Sequence, residues 1–196
     1  MSRPVEGCDG RGLPAAVRNL NLDDYAADRP DLDCNFGDLT AEDLATAFHE
    51  AGHAVAAVVL GGRVHKAVLG DNPHTEYDVL PEHHVPSIAY AGPWAEARLL
   101  RGHRLGPRDI HRVLVGTSDG RALCAAGGPA AALGVVPLLE RCWPAVEWVA
   151  AELLVTGQVG HTDVCAALGL TGDGGPGSFE LANLRAGLRV VTQAAV

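Results

Sequence analysis

Apolar positions run almost without interruption through the segment ATAFHEAGHAVAAVVLGG, and its few polar residues lie close together. Thr40 precedes this run and suits an N-cap, and Asp43 follows three residues later, as in a capping box. Gly61 and Gly62 supply an end signal after the apolar positions. The pattern therefore predicts a helix over about residues 41–60.

The segments that follow predict a small amount of sheet and several more helices. RVHKAVLG at 63–70 alternates weakly and has enough β-branched residues for a short strand. The proline-containing stretch 71–86 predicts a loop with room for an edge strand. Helical patterns then follow at 87–102, 106–127, 143–157 and 161–169.

Composition divides the chain into three predicted parts. Residues 1–38 predict an acidic, irregular N-terminal arm with repeated Asp and Pro. Residues 39–170 predict one mainly helical (α+β) domain with a small β-sheet or hairpin. Residues 171–196 combine a Gly-rich hinge with a C-terminal amphipathic helix, whose apolar face carries Leu181, Leu184, Leu188 and Val191.

Charge and composition exclude several classes of partner and compartment. The formal net charge is −9 and the chain has no basic stripe, which argues against nucleic acid as a partner. The start of the chain has no apolar signal core, and the longest strongly apolar run, Ala54–Leu60, is far shorter than the ~20 residues that span a bilayer. We therefore expect a soluble, cytoplasmic protein with no membrane partner. Five cysteines without a C-x-x-C pair argue against a disulfide framework or a zinc knuckle.

The polar residues inside the first helix have the spacing of a metal site. His49 and His53 are four residues apart, so they share one helix face about one turn (~6 Å) apart and can bind one metal ion. Glu50 is rotated by about 100° from His49, where it can take a proton from water at the metal. Zinc is the expected ion, because imidazole suits it and catalytic zinc sites use three protein ligands and a water molecule. Gly52 costs about 1 kcal/mol in a helix, which indicates that another backbone or the substrate approaches closely.

A simpler interpretation of the same residues is a chance H-E-x-x-H whose groups are hydrogen-bonded in the core. Burying two imidazoles and a carboxylate without partners is costly, and a metal ion satisfies all three. A third ligand has to come from elsewhere in the chain, and spacing alone does not select it. The candidates are His65, His74, His83, His84, Glu96, His103, Asp109, His111 and His161.

Several segments resemble the protease domain of the FtsH-type ATP-dependent zinc metalloproteases. AFHEAGHAVAAVVLG resembles the metal-binding motif of that family, and GRVHKAVLG stands where the family has a strand. IAYAGPWAEARLLRG resembles its LGGRAAE helix, LGPRDIHRVLV its GASNDL..AT segment, and the stretch 145–170 its closing helices. The resemblance covers roughly residues 40–170, and HEAGH is its specific part.

The resemblance implies a helical, zincin-like metallopeptidase domain at 39–170. By position, it implies that His49, His53 and Asp109 bind Zn2+ and that Glu50 is the general base. The alternatives for the third ligand are His111 and Glu96, of which Glu96 is also suited to orient a ligand imidazole.

The chain departs from that family in ways that change the expected activity. It contains no G-x-x-x-x-G-K-[ST] segment for ATP and no transmembrane anchor. The predicted activity is therefore ATP-independent amide hydrolysis, with short peptides, flexible segments or clients delivered by a partner protein as substrates.

Two other functions stay open at the level of sequence. The HEAGH site also suits a metal-dependent enzyme that acts on a small molecule by hydrolysis, cyclisation or elimination. A non-catalytic adaptor with structural zinc is the third hypothesis, against which Glu50 argues because a structural site needs no base. Cys8 and Cys34 are candidates for a thiolate that closes the zinc site and keeps an enzyme latent, and an incidental thiol is the simpler interpretation.

Overall fold

The computed structural model describes residues 39–102, 105–175 and 177–192. The predicted arm at 1–38, with Cys8 and Cys34, lies outside these residues, as does the candidate ligand His103.

The described chain consists mainly of helices, with one small sheet. The α-helices are α1 (Ala41–Val59), α2 (Val85–Arg101), α3 (Pro107–Leu114), α4 (Ser118–Ala125), α5 (Val136–Arg141), α6 (Trp143–Thr156), α7 (His161–Ala167) and α8 (Phe179–Ala186). The strands are β1 (Val64–Val68), β2 (His74–Tyr77) and β3 (Gln158–Val159), and 3₁₀ turns cover Glu82–His84 and Pro129–Val135. The predicted class, mainly helical with a small sheet, is confirmed.

Helix α1 lies in the core and begins and ends close to where the sequence predicts. The Thr40 hydroxyl accepts a hydrogen bond from the Asp43 backbone N–H at 3.1 Å, and the Thr40 N–H donates to the Asp43 carboxylate at 2.9 Å. These bonds form a capping box and satisfy N–H groups that a helix start leaves unpaired. Every residue from Ala51 to Val59 is buried, and α1 packs chiefly against α2 and α6.

The contact between α1 and α2 depends on glycine. A Cβ on Gly52 would lie 2.6 Å from the Ala91 carbonyl oxygen and 2.8 Å from the Ala95 Cβ. Both distances are too short for real atoms, so only glycine lets the two helices approach this closely. The sequence predicts that another backbone or the substrate approaches Gly52, and the structure shows the backbone of α2 in that position.

The sheet is antiparallel with the strand order β2-β1-β3, which makes β2 an edge strand. The register puts Thr75 of β2 opposite Ala67 of β1. Strand β2 also contacts α1, so it lies beside the helix that carries HEAGH. The predicted strand within 63–70 and the edge strand within 71–86 are both present, whereas β3 was not predicted.

The segment 106–127 forms two helices where the sequence pattern predicts one. Val115 adopts an extended conformation and ends α3, and Gly116 has a φ of +82°. Thr117 then caps α4, because its hydroxyl accepts a hydrogen bond from the Gly120 N–H at 3.0 Å. This break gives the second half of the segment a helix N-terminus of its own.

The C-terminal helix is shorter than its apolar pattern predicts. Leu181 and Leu184 are buried, as expected for one apolar face. Helix α8 ends at Ala186, so Leu188 lies beyond it and is 79% exposed.

Within the described part of the chain, no single helix has both the length and the hydropathy to cross a membrane. One bent pair, Ser118–Ala125 with Pro129–Arg141, meets those criteria only in combination. The described cysteines, Cys124, Cys142 and Cys165, are free thiols.

Candidate metal centre

Three ligand-type atoms meet beside α1: Nε2 of His49, Nε2 of His53 and Oδ2 of Asp119. The two nitrogens are 3.1 Å apart. Oδ2 of Asp119 lies 3.1 Å from the His49 nitrogen and 3.5 Å from the His53 nitrogen. All three side chains are largely buried, and one metal ion can contact all three atoms.

Local structure explains how each side chain reaches this point. His49 and His53 are one turn apart on α1, and their ring centroids are 4.8 Å apart. Asp119 lies in the first turn of α4, directly after the cap at Thr117. The positive end of the helix dipole favours a carboxylate there. The break at Gly116 is therefore what presents Asp119 to the two imidazoles.

The second ring nitrogen of each histidine is held by a hydrogen-bond acceptor. His53 Nδ1 lies 2.9 Å from the backbone oxygen of Ile88, and His49 Nδ1 lies 3.0 Å from Glu96 Oε2. Because both partners accept, each Nδ1 carries a proton, and in a neutral ring Nε2 then has a free lone pair. Two lone pairs and the carboxylate oxygen of Asp119 consequently face one another, which is unfavourable unless a cation lies between them.

The separations of these atoms fit tetrahedral coordination. Zinc binds imidazole nitrogen and carboxylate oxygen at about 2.0–2.2 Å, so two ligands of a tetrahedral zinc ion are about 3.3–3.5 Å apart. The three observed separations, 3.1, 3.1 and 3.5 Å, are close to this range. Two imidazoles and one carboxylate are a donor set that suits zinc, and three protein ligands leave a fourth position open.

The same cluster can also bind a proton. Burial alone would lower the pKa of His49, but hydrogen bonds to Asp119 and Glu96, aided by the charges of Asp119 and Glu50, raise this pKa to about 9. Burial would raise the pKa of Asp119, but its hydrogen bond to His49 and the neighbouring imidazole of His53 hold this pKa well below its usual range. A protonated His49 between two carboxylates is therefore the state that competes with metal binding at neutral pH.

A glycine on α2 makes room for one of the imidazoles. A Cβ on Gly92 would lie 2.4 Å from Nε2 and 2.7 Å from Cδ2 of His53. Any other residue at this position would push the His53 ring away from the point where the three atoms meet.

Glu50 lies next to this group and is only 6% exposed. Its Oε2 accepts a hydrogen bond of 2.6 Å from the Thr75 hydroxyl of β2. A cavity of about 300 Å³ opens beside His49 and Glu50. Glu42 and Glu96 also line this cavity, and none of the described residues in its wall is Lys or Arg.

Asp109, which the resemblance implies as the third ligand, does not join the two histidines. It lies in the first turn of α3, where its Oδ2 accepts a hydrogen bond from the Gly106 N–H at 3.0 Å. Its Oδ1 lies 3.2 Å from Arg101 Nε. The Asp109 carboxylate thus caps its own helix and forms an ion pair, and the structure brings Asp119 to the histidines in its place.

The alternatives for the third ligand also lie in other positions. Glu96 contacts Nδ1 of His49, a position from which a carboxylate can orient a ligand imidazole. His111 lines an apolar cavity together with Tyr90 and Leu114. Other histidines have partners of their own: His65 with Asp78, His74 with Glu76, and His161 with the Asp173 carbonyl.

Comparison of the chain with models of protein families, with curated proteins and with solved structures gave no match. The geometry and chemistry of this centre are therefore the basis on which a function can be inferred.

Proposed function

We propose that this chain is a zinc-dependent, ATP-independent peptidase of the zincin type, with His49, His53 and Asp119 as zinc ligands and Glu50 as the general base. The observation that carries the proposal is the triangle of two imidazole nitrogens and one carboxylate oxygen, with sides of 3.1, 3.1 and 3.5 Å. The partners at both Nδ1 atoms support it, because metal-binding histidines almost always donate their other N–H to a carboxylate or carbonyl.

The residues around the centre have distinct roles in the proposed reaction. His49, His53 and Asp119 would hold a zinc ion, which when bound would supply Lewis acidity and a water molecule with a pKa of about 7. Glu50 follows His49 directly and lines the cavity, so its carboxylate can accept the proton of the attacking water and deliver it to the leaving amine. Glu96 keeps His49 in the tautomer that leaves Nε2 free to bind.

The cavity suggests what kind of substrate the site accepts. Its volume of about 300 Å³ is at the lower end for ligand pockets, which suits one or two residues of a peptide. Glu42, Glu50 and Glu96 make it acidic. We therefore expect a preference for basic side chains or a free amino group, in short peptides, flexible segments or clients delivered by a partner protein.

A metal-dependent enzyme acting on a small molecule is the second candidate, because the small cavity also suits a compact metabolite. A purely structural zinc site is less consistent with the geometry. Such sites are closed by four protein ligands, and the described residues supply three.

The test begins with metal analysis and proceeds to substrates. Purified protein should contain close to one equivalent of zinc, and it should cleave members of a peptide library, those with Lys or Arg best. Glu50→Gln should keep the zinc and the fold and lose the cleavage. Full activity of Glu50→Gln would refute the mechanism, and zinc-loaded protein that cleaves no peptide but converts a small metabolite would favour the second candidate.

A further inference from the structure

We propose that Thr75 is a positioning residue that fixes the carboxylate of Glu50 for catalysis. This inference rests on the proposed function, because it assigns Glu50 the role of general base. Among the described residues, the side-chain hydrogen bonds of Thr75 go to Glu50 and to none of the three proposed ligands, so we expect its effect on the reaction to act through Glu50.

The geometry of the contact is specific. Thr75 Oγ1 lies 2.6 Å from Glu50 Oε2 and 3.2 Å from the Glu50 backbone oxygen. A hydroxyl has one proton to donate, and the shorter distance assigns it to the carboxylate. This bond fixes Oε2 of Glu50, and Oε1 of Glu50 accepts no hydrogen bond from Thr75.

The position of Thr75 in the fold makes this anchor firm. Thr75 pairs with Ala67 across the β1–β2 ladder, and β2 also contacts α1. The hydroxyl is thus fixed by a strand, while the glutamate is fixed by a helix. A β-branched side chain in a strand also has few χ1 rotamers, which reduces the freedom of the donor.

Burial is the reason that Glu50 needs such a partner. The residue is 6% exposed, so its carboxylate has little water to solvate it. Among the described residues, Thr75 is the side chain that donates a hydrogen bond to this carboxylate. Loss of the hydroxyl would free the carboxylate to rotate toward solvent in the adjoining cavity. A displacement of about 1 Å at a reacting group can cost about 100-fold in rate.

The experiment compares Thr75→Val, Thr75→Ser and the control Thr171→Val in the full-length, zinc-loaded protein. Thr171 donates the same kind of hydrogen bond to Glu180, outside the site. In Thr75→Val we expect unchanged zinc content, a kcat on a cleaved peptide that is about 10- to 100-fold lower, and a KM within about threefold of wild type. Thr75→Ser should recover kcat to within about threefold, because it keeps the hydroxyl. Thr171→Val should behave as wild type.

A loss of kcat that serine does not rescue, or a Thr75→Val protein with wild-type kcat, would overturn the positioning role. If Thr75→Val does not fold, Thr75→Ala replaces it in the same comparison.

A second measurement does not depend on any activity and separates this inference from the proposed function. In a double-mutant cycle of Thr75→Val and Glu50→Ala, the shifts in Tm should be non-additive by about 3 °C or more, as for a hydrogen bond to a charged group. If the wild-type protein cleaves no peptide but the cycle shows this coupling, the peptidase function is refuted and the contact between Thr75 and Glu50 is supported. Additive shifts would refute the contact itself.

Discussion

The proposed metal centre can be tested by a substitution that changes none of the three proposed ligands. Gly92 faces His53 across the α1–α2 contact, and a Cβ there would lie 2.4 Å from His53 Nε2. Ordinary contacts begin at about 3.4 Å, so the imidazole of Gly92→Ala has to withdraw by about 1 Å. Ligand distances in a metal site are expected within about 0.2 Å of their ideal values, so this displacement takes His53 out of bonding range.

The expected magnitude follows from this displacement. Zinc affinity should fall by at least about 10- to 100-fold, the loss found when the groups that orient a ligand are removed. That loss of affinity corresponds to about 1.4–2.7 kcal/mol of binding free energy. For a domain of this size, the increase in Tm that zinc causes should therefore be about 3–11 °C smaller than in the wild type. Alanine in a helix interior gains about 1 kcal/mol over glycine, which partly offsets the clash in the metal-free protein. The effect should therefore be concentrated in the zinc-bound state.

Competition with a chelator gives the zinc affinity, and thermal unfolding with and without zinc gives the linked stability. Gly134→Ala is the matched control, because no atom lies within 4 Å of a Cβ built at this position. The control should have the zinc affinity and the thermal stability of the wild type. A folded Gly92→Ala protein whose zinc affinity is within about threefold of wild type would refute the assignment of His53 as a ligand in this geometry.

Three further predictions concern the ligands, the base and the competing proton. Asp119→Asn should lower zinc affinity by at least about 100-fold, whereas Asp109→Asn should leave it within about threefold and cost only helix stability. Competition with a chelator measures the zinc affinity of both variants. A large loss in Asp109→Asn together with a small loss in Asp119→Asn would make Asp109 the ligand. Glu50→Gln should retain zinc by metal analysis and lose about 100- to 10,000-fold in kcat, so peptide cleavage at the wild-type rate would exclude it as the base. The charged form of His49, whose pKa is raised to about 9, stabilises the metal-free protein below pH ~6.5, and that contribution is lost as pH rises through about 9. Zinc has to displace this proton from His49, so the apparent zinc affinity should increase about tenfold per pH unit between about pH 7 and 8 and level off above about pH 9. A zinc affinity that does not change with pH in chelator titrations would contradict competition between zinc and the proton.

The features that the sequence predicts correctly are those that local interactions determine. The start of α1 depends on Thr40 and Asp43, three residues apart, and the shared face of His49 and His53 depends on helix periodicity alone. The close approach at Gly52 could likewise be predicted from the cost of a glycine inside a helix.

The place of Asp119 as the proposed third ligand depends on a contact between residues far apart in the chain, which spacing does not reveal. His49 and Asp119 are 70 positions apart. The prediction of one helix over 106–127 starts from Pro107 at its first turn and does not separate residues 116–121, GTSDGR, which contain no apolar side chain. A signal was nevertheless present, because Gly116 and Thr117 together form a helix start.

Charge balance distinguishes a metal ion from the proton that competes with it at this centre. Asp119 and Glu96 both hydrogen-bond to His49, and Glu50 adds a third carboxylate whose charge acts on the same imidazole. One proton on His49 neutralises only one of these three charges in a largely buried cluster, and it leaves the lone pair of His53 facing the Asp119 oxygen. A divalent ion neutralises two charges, binds both imidazole lone pairs and needs no change in the Nδ1 hydrogen bonds that already orient the rings. The arrangement is thus more completely satisfied by a divalent metal than by a proton, which is the physical basis for the proposed zinc site.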